Sequence, residues 1–170
     1  ELTSGETYVD LIEERADLAI RIGALPDSTL NARRLGSGRL RVVAAPAYID
    51  KYGVPREPAE LALHRTVGFT APASLNTWPL LHAGGEGWTV TPQVLASSGE
   101  TVRHLALHGA GIASVGEFLV RSDLAAGRLA PVLEEHTLPW TQPVWAVFYK
   151  QGALAPRVAA LVDFLARRLG

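Results

Sequence analysis

Cysteine and methionine are both absent from this chain of 170 residues. Without cysteine there is no disulfide framework, no thiolate metal site and no cysteine nucleophile, and a reducing compartment suits the composition. An excess of charge of one sign is also lacking. Sixteen lysine and arginine residues stand against 17 aspartate and glutamate, for a formal net charge of −1. The arginines are scattered, with only short pairs such as Arg33-Arg34 and Arg167-Arg168, a poor electrostatic footprint for nucleic acid. No run approaches the roughly 18 consecutive apolar residues that span a bilayer, and the N-terminus shows neither a basic region nor an apolar signal core. The expectation is a cytoplasmic protein with no membrane partner. A first residue that reads as the tail of a strand, with no methionine anywhere, suggests a piece of a longer protein.

Hydrophobic residues make up 48% and charged residues 19%, which is ordinary for a core-forming globular chain. The pattern alternates strands and helices, as in an α/β protein. "ADLAIRIG" places Leu18, Ile20 and Ile22 on one strand face and Ala19 and Arg21 on the other, ending at Gly23. "LRVVAA" reads as a strand, "PAYIDKYG" as a short helix stopped by Gly53, and "REPAELALH" as a second short helix opened by Pro58. Strands at "TVGFT" and "VTPQVLAS" are separated by an expected loop, "APASLNTWPLLHAGGEGW". A helix, the strand "GIASV", the helix "EFLVRSDLAAG" and the strand "RLAPVL" follow. "QPVWAVFYK" is apolar on both faces, as a central strand should be. The last helix carries Leu154, Val158, Leu161, Val162, Leu165 and Leu169 on one stripe.

The tetrapeptide "SGET" occurs twice, from Ser4 and from Ser98, each time before a run with helical spacing. Thr3 with Glu6, and Ser97 with Glu100, fit the S/T-x-x-E capping box. That reading leaves the Ser98 hydroxyl free for a ligand. Gly5 and Gly99 would let an outside group approach the positive end of the helix dipole. Two well-capped helices explain the same residues. "GAGIASVG" lacks the third glycine of a dinucleotide fingerprint, and Ser114 sits one residue off the G-x-S-x-G elbow with no aspartate and histidine to complete a triad. Glu100, His104 and His108 stack along one helix face at i, i+4, i+8; three such groups could hold zinc, but structural metal sites normally recruit ligands from a second element and a solvated or interface face explains the same spacing, so no metal or cofactor is assigned. No enzymatic activity is expected.

The run "DLIEERADLAIRIGALPDSTLNARRLGSGRLRVVAAPAYIDKYGVPREPAELALHR" resembles, phrase by phrase, the effector-binding domain of LysR-type transcriptional regulators. The resemblance continues through "HGAGIA", "FLVRSDLAAGRLAPVL" and "LAPRVAALVDFL" and covers essentially the whole chain. It implies an α/β, two-lobed, type II periplasmic-binding-protein-like fold, with a small-molecule effector between lobes. The first lobe would be residues 1–40 and 145–170, missing its first strand and helix, and the second lobe residues 41–144. The N-terminal helix-turn-helix through which the whole protein would meet DNA is absent, and family members assemble as homo-oligomers, dimers or tetramers. The family's ligand-contacting positions fall on Ser4, Gly5 and Arg21 in the first lobe. In the second they fall on Phe69, Thr70, Asn76, Trp78, Ser98, Thr101, Val115 and Gly116. A structural salt bridge accounts equally for Arg21, and ordinary core packing for Phe69 and Trp78. The alternative function is a solute-binding protein of a transporter, which would share the fold.

Overall fold

The computed structural model describes residues 11, 16–23, 25, 30–149 and 155–169. The chain divides into two compact units. One comprises Arg39–Trp140, and the other is drawn from Tyr8–Gly38 and Thr141–Gly170. The long strand β2 (Asn31–Ala44) passes from the second to the first. It begins nine residues before the expected "LRVVAA" strand, because the polar stretch Asn31–Arg39 carries little apolar alternation beyond Leu35.

In the 39–140 unit, β2 is followed by the helix α1 (Pro46–Tyr52), a 3₁₀ turn at Pro58–Leu63 and the strand β3 (Thr66–Phe69). The second short helix of the sequence reading is thus a 3₁₀ turn. Every residue of β3 is buried, as expected of a strand covered on both faces. The segment expected as a loop instead folds as a hairpin, β4 (Thr77–His82) and β5 (Gly85–Thr89), with Trp78 opposite Trp88. Its ladder is irregular between Trp78 and Leu81, where Pro79 has no N–H to offer. Trp78 and Leu80 enter the core, while Gly87, at φ 86, leaves room for the Trp140 ring. The strand β6 (Val94–Ala96), the helix α2 (Gly99–Leu107), the strand β7 (Ile112–Gly116), the helix α3 (Glu117–Ala125) and the short strand β8 (Ala130–Pro131) complete the unit. The strand order is β2-β7-β3-β6, with β8 beside β2. β3 is parallel to both β6 and β7; β2 runs antiparallel to β7. Val42, Val67, Ile112 and Val115 from the strands meet Val102, Ala106 and Val120 from α2 and α3 in one core.

In the terminal unit, β1 (Ala19–Ile22) pairs antiparallel with β9 (Thr141–Phe148), and β9 lies between β1 and β2. Trp145 Nε1 donates to Gly23 O at 3.1 Å, and Gly23 N to Pro143 O at 2.8 Å, which closes the end of β1. The helix α4 (Pro156–Leu169) buries Val158 and Val162 against Leu35 and Ala146. Leu161, expected in that stripe, is 47% exposed; the buried positions follow i, i+4, i+7 through Leu165 and leave it to the side. Arg33 of β2 pairs with Asp163 of α4. No helix among the described residues is long and apolar enough to cross a membrane.

Candidate functional site

The parallel pairing of β3 with β6 sets Phe69 beside Ala96. Its pairing with β7 matches Val67 to Ala113, two residues short of Val115. The carboxyl ends of three strands therefore share one edge of the 39–140 unit, and α2 starts at that edge with two residues, Ser97 and Ser98, between it and β6. Thr70, exposed just past β3, donates its N–H to Ala96 O at 3.0 Å and ties the two strand ends together.

At the start of α2 the capping residue is Ser98. Its Oγ accepts the Thr101 N–H at 3.2 Å and lies 2.9 Å from Thr101 Oγ1. The expected box of Ser97 with Glu100 does not form, because the Glu100 carboxylate turns along the helix to Arg103 Nη1 at 2.6 Å and His104 Nε2 at 3.2 Å. Two hydroxyls share one mutual hydrogen bond, so one of their two protons is left to point at an incoming oxygen. Gly99 is buried, so the open face at this turn belongs to Ser98 and Thr101.

The other predicted residues of this unit stand behind that edge. Asn76 is buried, and its side-chain amide closes on one backbone unit: Oδ1 accepts the Phe69 N–H at 2.8 Å and Nδ2 donates to Phe69 O at 2.9 Å. It imitates a neighbouring strand and fixes where β3 ends. Phe69, Trp78 and Val115 are 7%, 1% and 1% exposed, enclosed in the core. Gly116 ends β7, and a Cβ there would come within 2.5 Å of the Phe118 ring. Glycine lets Phe118, which sequence reasoning missed, lie over the strand exit; an apolar residue two past a glycine at a strand end was the available signal. Also missed was Arg41 of β2, whose Nε and Nη2 donate to Glu117 Oε1 at 3.1 and 2.8 Å. This bond from Arg41 holds the Glu117 carboxyl below the usual carboxylate range against the opposing effect of burial.

Arg21 is half-buried on β1, in register with Trp145 in the terminal unit. Ser4 and Gly5, with the whole first SGET turn, lie outside the described residues. Ser114 is buried on β7, and among the described residues its Oγ has no hydrogen-bond partner. Among the described residues no group of three His, Asp or Glu side chains is arranged to hold a metal. His108 Nδ1 instead lies 2.8 Å from His104 O.

Parallel strands whose carboxyl ends meet the N-terminus of the following helix define an α/β ligand-binding unit. Comparison with known proteins agrees. The family model described as the LysR substrate binding domain matches residues 1–170, and the chain belongs to that family. It is 47% identical over 169 residues to the HTH-type transcriptional regulator CrgA of Neisseria meningitidis serogroup C (strain 8013), covering 99% of this chain and 56% of that protein. The HTH-type transcriptional activator AaeR of Escherichia coli (strain K12) is 31% identical over 166 residues, covering 96% of this chain and 53% of AaeR. Among solved structures, the CrgA regulatory domain superposes with a TM-score of 0.91 at 46% identity, over 97% of this chain and 81% of that one. Full-length AphB, the Vibrio cholerae virulence activator, gives 0.78 at 25% identity, over 99% and 57%. The chain spans about half the length of the curated relatives it matches. Its periplasmic-binding-protein-like α/β fold is that of LysR regulatory domains, and these relatives are transcriptional regulators rather than enzymes or transporters.

Proposed function

We propose that this chain is the effector-sensing part of a LysR-type transcriptional regulator, and that it takes a small anionic or carbonyl-bearing metabolite. The observation that carries the reading is the Ser98–Thr101 hydroxyl pair, set at the N-terminus of α2 on the edge where β3, β6 and β7 end. Helix N-termini favour negative charge, and a hydroxyl proton adds direction. Thr70, Ser98, Thr101 and Gly116 would face the ligand, with Phe69, Asn76, Trp78 and Val115 supporting them from the core. Ser4, Gly5 and Arg21 join the site on the family resemblance. The whole regulator would act in the cytoplasm as a homo-oligomer, meeting DNA through an N-terminal domain. The identity of the relatives as transcriptional regulators favours this over a transporter's solute-binding protein.

Ligand binding to the folded state raises its apparent stability, so a panel of small organic acids read by thermal shift tests the proposal. At least one acid should raise the melting temperature. Thr101→Val removes a hydroxyl but not the capping oxygen, and should weaken that acid by roughly ten- to a hundredfold, the equivalent of about 1.5–3 kcal/mol for a hydrogen bond to a charged group. Stabilisation by cationic or purely apolar compounds alone would sink the reading.

A further inference from the structure

The 39–140 unit carries a groove of about 620 Å³, lined by the start of α1, one face of α2 and the C-terminal turn of α3. We propose that this groove is a second ligand site, for a small organic oxyanion held by Arg103 and Arg128, separate from the strand-end site. Asp123 of α3 lies at its floor with no exposed surface. Its Oδ2 accepts from Arg103 Nε at 2.6 Å, and its Oδ1 from Arg128 Nε at 2.9 Å and Nη2 at 2.6 Å. Arg128 arrives there because the chain turns at Gly127, φ 67, and returns the Arg128 N–H to Asp123 O at 2.9 Å. One buried carboxylate thus aims two guanidiniums.

Among the described residues, no partner engages Nη1 of Arg128 or Nη2 of Arg103, which leaves N–H groups on both for oxyanion oxygens. Guanidinium forks suit carboxylate and phosphate alike. His104 and His108 line the same groove, and Leu107, Ala45 and Ala47 give it an apolar wall for a short carbon body. Glu100 also touches Arg103, at 2.6 Å, but it is 54% exposed and outside the lining. The Arg103 side chain is 17% exposed, so only the carboxylate end of that pair is open to solvent, and an entering anion competes with it for the guanidinium.

The test is titration of the ¹⁵N-labelled chain with inorganic phosphate and, separately, with succinate, read by backbone amide shifts. Saturable shifts are expected at Arg103, Gly127 and Arg128 with at least one of the two, and the tighter one names the anion class. Arg128→Gln should weaken that binding at least tenfold, Arg128→Lys less, and Glu100→Gln should tighten it. Equal binding by Arg128→Gln, or no tightening in Glu100→Gln, overturns the proposal. Shifts confined to Ser98–Thr101 also overturn it while leaving the strand-end reading intact. Should Arg128→Gln fail to fold, the Glu100→Gln arm decides alone.

Discussion

Ser98 uses one oxygen for two purposes, while among the described residues the side chain of its neighbour Ser97 makes no hydrogen bond. The Oγ of Ser98 caps α2 through the Thr101 N–H and at the same time pairs with the Thr101 hydroxyl. Loss of an N-cap hydroxyl costs typically about 1 kcal/mol, so Ser98→Ala should lower the stability of the chain by about that amount in urea unfolding. Ser97→Ala, an exposed change at a position that caps nothing, should fall within about 0.5 kcal/mol of the parent. The sequence showed that a helix starts at "SSGET" but could not say which serine caps it. Two serines stand side by side, and the S-x-x-E spacing favoured Ser97. The choice falls to Ser98 because Arg103 and His104 draw the Glu100 carboxylate down the helix, and that pull depends on side chains one turn further on.

At the scale of elements, the alternating strands and helices were legible wherever apolar periodicity was strong, as in β3, α2, β7, β9 and α4. The β4–β5 hairpin was not. Its strands contain Pro79, Gly85 and Gly87, residues that punctuate a sequence as turns, and what holds them in a ladder is the burial of Trp78 and Leu80 from a distance. The end of β3 was hidden for a similar reason. Asn76 reads as a loop residue, yet its amide occupies the hydrogen-bonding edge of Phe69 and fits only because Gly68 has no side chain. A Cβ at Gly68 would overlap Asn76 Oδ1 and the Pro92 ring. Gly68→Ala should therefore cost about 1–3 kcal/mol, the usual range for overpacking a buried site. Asn76→Ala, which strands two buried backbone groups, should cost about 2–6 kcal/mol, from roughly 1–3 for each group left without a partner. Because alanine at 76 removes one of the atoms that alanine at 68 would strike, the double variant should lose less than the sum, by at least about 0.5 kcal/mol in a double-mutant cycle.

For the whole molecule, family phrases running the length of the chain made its class legible, while the ionic framework of the 39–140 unit was not. Arg103, Asp123 and Arg128 sit on a helix, a second helix and the turn after it, and Arg41 meets Glu117 across 76 positions; no local pattern joins such residues. Their consequence is a dependence of stability on acid. Hydrogen bonds from Arg103, then Arg128, hold the Asp123 carboxyl below its ordinary value against the cost of burial, and Arg41 does the same for Glu117. A carboxylate depressed in the folded state stabilises it fully above the unfolded-state value, about 4, and that contribution disappears as pH falls through the depressed folded-state value. The parent chain should thus hold its melting temperature between about pH 5 and neutrality, then lose it progressively below about pH 4. Asp123→Asn should melt lower at neutral pH, because two guanidiniums lose the charge that faces them. It should also show a shallower fall below pH 4, since the proton that the parent takes up there has no site to occupy. A variant whose acid limb is as steep as the parent's would show that other carboxylates, and not the Arg103–Asp123–Arg128 triad, set the acid limit of this fold.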